Sequence, residues 1–472
     1  MADKTFTGLS RERTTPRSVR TAENIARTAI TAGGIGTILA VTLIFVFLLW
    51  VVVPLFTSAE VERVAAIQPK ASANETELAV IRAGVDDEQL MGWTLRTDGR
   101  LRVRRLSDGV LLDDRDLFDG KRPTCWSFSP DEPPAPDSPD APEVPGCVFG
   151  FADGTVRSAS IRFKSAYLDR DQVPEEARTL RVGGVLRHQN GIVSFTPEKQ
   201  WRFVSLFIEV SESDPIAQSA IRLIDYSLPS SGRAFAYLTA DGTFAIRQYF
   251  RRFNPMMDAW VEDPFDKPIV FDGDARRGEP RFLRLGGQAT LALLIWEDGH
   301  AERFDVRESV MAKGGTLEAV EQVELVPEGR RLDQAFFIVG KATLIVADDQ
   351  GAISAWFPTR PPGAYARDEI KMARGHVLGS PDGVGARVTA YATSPRLRQM
   401  AIGFEDGSIQ VWHVTTEQLL VDVKADQKIA LDALALAPKE DGVIGWYGSW
   451  LQRWKMDAGY PEATVASLFT PV

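Results

Sequence analysis

Cysteine and histidine are scarce in this chain: two cysteines and four histidines in 472 residues. His188, His300, His376 and His413 occur singly, with no ligand spacing among them, which argues against a zinc site. There is no nucleophile elbow and no zinc helix motif. Gly340-Lys-Ala-Thr343 lacks the upstream glycine that a phosphate-cradling loop needs, and Asp272-Gly-Asp274 lacks the distant glutamate of a calcium loop. The paired basics Arg251-Arg252, Arg276-Arg277 and Arg330-Arg331 read as solvated surface. No catalytic residue, cofactor site or metal site emerges, and an enzyme is not expected.

Charge is missing too, in one place. Between Arg27 and Glu60 lie 32 residues without a charged side chain, and Ile38–Val53 is almost wholly apolar. About 20 apolar helical residues cross a bilayer core. A cleaved signal peptide would have a shorter apolar run ending in small residues, whereas Trp50, Pro54 and Phe56 occupy that position here. The pattern predicts a retained anchor: a basic cytoplasmic tail over 1–28, a transmembrane helix over 29–57, an outer domain over 58–458 and an exit segment over 459–472. Residues 1–59 hold six basic and three acidic residues, so the net charge of −10 leaves −13 for the remainder. Basic flanks stay cytoplasmic, which in a bacterial inner membrane sends the outer domain into the periplasm. Its acidity argues against nucleic acid, whose phosphates demand a basic face.

The outer domain has globular composition. Its two cysteines, Cys125 and Cys147, bracket an acidic, proline-rich stretch from Ser129 to Pro145 that cannot pack. A disulfide between them would suit an oxidising compartment; two independent buried thiols are the other reading.

What recurs is an apolar strand, a turn and an alternating strand. The unit reads Leu90-Met-Gly-Trp-Thr-Leu-Arg-Thr-Asp-Gly99 and returns with turn glycines Gly154, Gly242, Gly299, Gly351, Gly407 and, in degenerate form, Gly448. Asp-Gly between apolar runs is a strong hairpin signal. The spacings are 55, 88, 57, 52, 56 and 41 residues, mostly the length of a four-stranded propeller blade. Phe304, Trp356 and Trp412 each lie five residues after their glycine, as in a WD-type repeat. The expected fold is all-β: a seven-bladed WD-like β-propeller after one transmembrane helix. The 88-residue gap contains either long outer strands or an eighth blade. The last unit supplies three strands, and Val61–Ile67 is expected to add the fourth, beside Trp450–Met456.

The helix, with Thr31-Ala-Gly-Gly-Ile-Gly36 at its start and Leu49-Trp-Val-Val-Val-Pro-Leu-Phe56 at its end, and the ending Gly459–Val472 resemble the N-terminal half of the long-form phosphate ABC transporter permease, the PstC-type subunit. The small residues at 32–36 are spaced for helix–helix approach. The resemblance implies a role in phosphate uptake, with the permease core, its ATPase and the periplasmic phosphate-binding protein as partners. In that family the pore-forming helices follow this point, so the polypeptide is not expected to transport alone. The alternative is a free-standing anchored propeller that scaffolds an envelope complex. A propeller hydrolase or quinone-dependent dehydrogenase would need a convergent site at the channel mouth, which the sequence does not display.

Overall fold

The computed structural model describes residues 16–52, 60–67, 78–130, 146–229, 232–271, 277–307, 316–362, 370–424, 428–439, 441–448 and 450–457. Residues 1–15 of the tail, most of the proline-rich stretch, Asp272-Gly-Asp274 and the exit segment 459–472 lie outside the described residues.

All seven turn glycines, from Gly99 to Gly448, adopt positive φ, the conformation that a tight hairpin turn requires and that a side chain resists. The preceding aspartate completes the turn. Asp98, Asp153, Asp241, Asp298 and Asp406 each accept a backbone N–H from the residue two positions on. In the fifth unit Asp348 takes this role, accepting from Gln350 and Ala352 at 3.0 and 2.8 Å. Each hairpin is the middle of an antiparallel sheet, and the described residues form seven such sheets.

In chain order the blades are built as follows. Blade one is Val80–Val85, Met91–Arg96, Arg100–Arg105 and Leu111–Asp116. Blade two begins with Pro123–Phe128, Cys147–Phe151 and the 14-residue strand Thr155–Leu168. Blades three to six each contain four strands, starting at Ile221, Phe282, Leu332 and Val388 respectively. Blade seven takes three strands from the C-terminal side, Ala433–Leu436, Gly442–Tyr447 and Trp450–Asp457. Its fourth strand is Glu60–Ile67, antiparallel to Trp450–Asp457 with Val61 opposite Met456 and Ile67 opposite Leu451. That is the expected closure: the ring is latched by its first strand.

The 88-residue gap does not contain an eighth blade. Trp201–Val210 pairs along the long third strand of blade two as its outer strand, and Gly191–Phe195 and Val185–His188 extend the same sheet outward. Val173, Ala177 and Val193 make a small separate core under this extension.

A blade cannot bury both of its faces alone, so the packing lies between blades. Each of the seven neighbouring pairs has its own apolar cluster, including the pair formed by blades seven and one. The aromatics five residues after the turn glycines enter these seams. Phe304 packs toward blade three, Trp356 toward blade four and Trp412 toward blade five. Both indoles donate back to the side chain two residues earlier, Trp356 to Ser354 and Trp412 to Gln410. The described residues between 60 and 457 therefore form a closed seven-bladed β-propeller.

The glycine turns differ in cost. A Cβ on Gly242 meets nothing within 4 Å, whereas on Gly154 it would strike the carbonyl oxygen of Ala217. Gly242→Ala should cost about 1–2 kcal/mol, the left-handed penalty alone. Gly154→Ala adds an overpacking term and should cost about 3 kcal/mol or more. Chemical denaturation of the two variants side by side checks the difference.

The other unit is a helix over Arg17–Val52 of 36 residues. It starts well before the expected residue 29, inside the basic tail, and runs unbroken through Gly33, Gly34 and Gly36. At 1.5 Å per residue it is about 54 Å long, more than a bilayer core needs. The hydroxyls of Thr28, Thr31, Thr37 and Thr42 each donate to the carbonyl four residues earlier, so none of these four needs water. The helix is long and apolar enough to cross a membrane.

Candidate functional site in the central channel

The cysteines do not form a disulfide. Their strands are adjacent, as expected, but the register separates them: Cys125 pairs with Gly150, and Cys147 with Phe128. Cys147 lies three positions from Gly150, the partner of Cys125, an odd offset that sends the two thiols to opposite faces of the sheet. Cys125 Sγ donates to Ile221 O at 3.5 Å in the seam with blade three. Cys147 Sγ donates to Ala159 O at 3.2 Å in the seam with blade one. Burial pushes both thiols up to about 12. Non-reducing denaturation should release two titratable thiols, and neither should react in the native protein.

The histidines are dispersed as well. His300 and His376 each face one glutamate, Glu324 at 2.8 Å and Glu417 at 2.5 Å, and His413 meets Thr416. Among the described residues no three His, Cys, Asp or Glu converge to hold a metal. Of the paired basics, Arg277 binds Asp298 at 2.8 Å and Arg330 binds Asp348 at 3.1 Å. Lys341, in the rejected phosphate-loop fragment, is buried and joined to Asp225 at 3.2 Å.

The tertiary structure instead creates a channel. The innermost strands of all seven blades surround a cavity of about 520 Å³. Several of the residues that line it are aromatic or cationic. A stack that crosses four blades lines part of it. Phe336 and Tyr391 lie parallel with centroids 3.8 Å apart. The Arg82 guanidinium is 5.5 Å from the Tyr391 ring and 5.4 Å from that of Phe128, within cation–π range. Arg82 also donates to Tyr391 O at 3.4 Å.

Arg222, Arg281 and Arg284 line the same space. Arg222 is paired with Glu279 at 2.5 Å and Arg281 approaches Glu297 at 3.6 Å. Arg284 donates only to backbone, Ala335 O at 2.6 Å and Leu283 O at 2.7 Å. Burial pulls the Arg82 guanidinium below its ordinary value. A chain of net charge −10 thus has a channel whose charged lining residues are mainly basic: Arg82, Arg222, Arg281, Arg284 and Lys341 against Asp225 and Asp432.

Comparison with known proteins adds little to this geometry. No protein-family model and no curated protein matches the sequence. Among solved structures, the chain is similar to the Myceliophteria thermophila Cps50 (Swd1) beta-propeller domain, at 10% identity and a TM-score of 0.46, over 84% of this chain and 99% of that one. The propeller assignment accordingly rests on strand order and closure.

A second cavity, of about 290 Å³, shares Arg82 and reaches Asp86, Arg162 and Arg396. The Arg162 Nε is buried without a hydrogen-bond partner, while its guanidinium lies 4.9 Å from the Phe207 ring. Asp86 accepts Met91 N–H at 2.5 Å and Glu88 N–H at 3.1 Å, and burial pushes its carboxyl up to about 6. A raised carboxyl pKa favours the protonated form in the fold, so the stability it contributes is present below about pH 4 and is lost as pH rises through 6. Asp86→Asn should flatten the fall of Tm between pH 4.5 and 7.5, as measured by thermal melts in a pH series.

No local motif marks the channel residues. Arg82, Phe128, Arg284, Phe336 and Tyr391 come from five different blades. One weak signal exists: Arg82, Arg284, Phe336 and Tyr391 lie 15–17 residues ahead of the turn glycine of their blade.

Proposed function

We propose that this chain is the membrane-anchored periplasmic propeller region of a phosphate-uptake permease, and that it acts by binding and docking. The observation that supports this most is the order of parts: the strand latching the ring, Glu60–Ile67, follows the apolar helix Arg17–Val52 closely in the chain. A ring whose first strand follows the anchor in the chain stays attached to a membrane complex. The basic residues before the helix favour an N-in orientation, which gives the propeller to the periplasm. One span cannot enclose a polar path, so transport requires further helices and an ATPase.

The test is co-purification from bacterial membranes after in vivo crosslinking, paired with uptake in cells whose propeller residues 60–457 have been removed. Recovery of permease helices, the ATPase or the phosphate-binding protein, with impaired phosphate uptake, is expected. Normal uptake together with capture of an unrelated envelope complex would replace this reading with the scaffold one.

A further inference from the structure

Arg82 and Arg284 set the channel apart from an ordinary propeller axis. Among the described residues neither has a carboxylate within ion-pairing distance. A guanidinium carries five N–H donors. Arg82 spends one on Tyr391 O, and Arg284 spends two on backbone carbonyls. The two side chains come from blades one and four, across the ring from each other, and face the same cavity of about 520 Å³.

Placing a cation in a partly desolvated cavity is costly unless something of opposite charge accompanies it. The acids of this cavity do not supply that charge. Asp225 is committed to Lys341 and to the hydroxyl of Ser127, and Asp432 accepts the N–H of Gly448. Nearby carbonyls take single donors and leave the charge uncompensated. The N–H donors that remain suit a phosphate-type oxyanion.

We propose that the central channel is a binding site for a small, doubly charged oxyanion of the phosphate or sulfate type, with Arg82 and Arg284 as its principal ligands. The aromatic stack of Phe128, Tyr391 and Phe336 closes one side of the site and fixes Arg82. The proposal does not depend on the permease reading: such a site would serve a scaffold equally well.

The experiment is equilibrium binding to the full chain in detergent micelles at pH 7 and low ionic strength. Inorganic phosphate and sodium sulfate are titrated separately, and chloride serves as the monovalent control. Saturable one-to-one binding of at least one dianion is expected, with chloride a poor competitor. Arg284→Gln and Arg82→Gln should each weaken it by about 10–100-fold, the loss of charge-assisted hydrogen bonds. Arg284→Lys, which keeps the charge but loses the fork, should fall between them and the parent. Arg331→Gln, at an exposed surface pair with Glu297, should bind as the parent does. Circular dichroism confirms that each variant folds. If Arg82→Gln unfolds, the Arg284 pair alone carries the test. Absence of saturable binding, equal competition by chloride, or unchanged affinity in Arg284→Gln would overturn the site. None of these outcomes bears on co-purification with permease components, so the two readings fail separately.

Discussion

Removing residues 60–67 should unfold the propeller. The deletion strips the outer strand from blade seven and leaves Trp450–Asp457 as a bare edge, losing seven paired positions. At about 0.5–1.5 kcal/mol per hydrogen bond this amounts to roughly 4–10 kcal/mol, comparable with the whole stability of a typical domain. Because the ring is a chain of nearest-neighbour interfaces, blades one and seven would also lose their constraint. The expected result is aggregation or a molten spectrum by circular dichroism. A permuted chain tests the cause. Glu60 lies opposite Asp457, so a short turn after residue 457 leading into residues 60–67 can restore the same pairing. Permuted protein that melts cooperatively near the parent temperature is expected; if it stays unfolded, the latch is not what closes the ring.

Asp225→Ala should be among the most damaging single substitutions in the ring. Asp225 is 2% exposed, on the innermost strand of blade three. Its Oδ1 accepts the Ser127 hydroxyl of blade two at 2.5 Å and pairs with Lys341 Nζ of blade five at 3.2 Å. Its Oδ2 accepts Leu285 N–H of blade four at 2.6 Å. One carboxylate therefore ties four consecutive blades around the axis. Truncating it leaves a buried ammonium without its carboxylate, still donating to the Tyr226 carbonyl, and breaking a buried pair in this way costs about 3–5 kcal/mol. The double variant Asp225→Ala, Lys341→Met removes the stranded charge and should recover part of that loss. Urea unfolding of the single and double variants decides it. A double variant less stable than the single would show that Lys341 is not the source of the cost.

The features readable in advance are local ones. The Asp-Gly turns depend on a positive φ and a nearby carboxylate, both properties of two adjacent residues. The apolar lead-ins depend on burial between blades, which forces uninterrupted hydrophobic runs such as Leu291–Ile295. The latch was legible because the last unit is one strand short and a single apolar-alternating segment remained. The extension of blade two was ambiguous because Thr155–Leu168 meets Trp201–Val210 without a tight turn to mark the pairing. The disulfide expectation went wrong for a related reason: loop composition says that two strands are joined, but not in which register, and here the register puts the thiols on opposite faces.

By itself the sequence determined that a long uncharged, apolar stretch precedes a repeated four-stranded unit and that the repeat closes on its own first strand. Those properties follow from hydrophobic run length and turn stereochemistry, which act over a few residues. Only the tertiary structure decided that Arg82, Arg284, Phe128, Phe336 and Tyr391 share one channel. Each is a single inward position on a different blade, separated from the next by sequence whose length varies freely, and only closing the ring sets the distance between them.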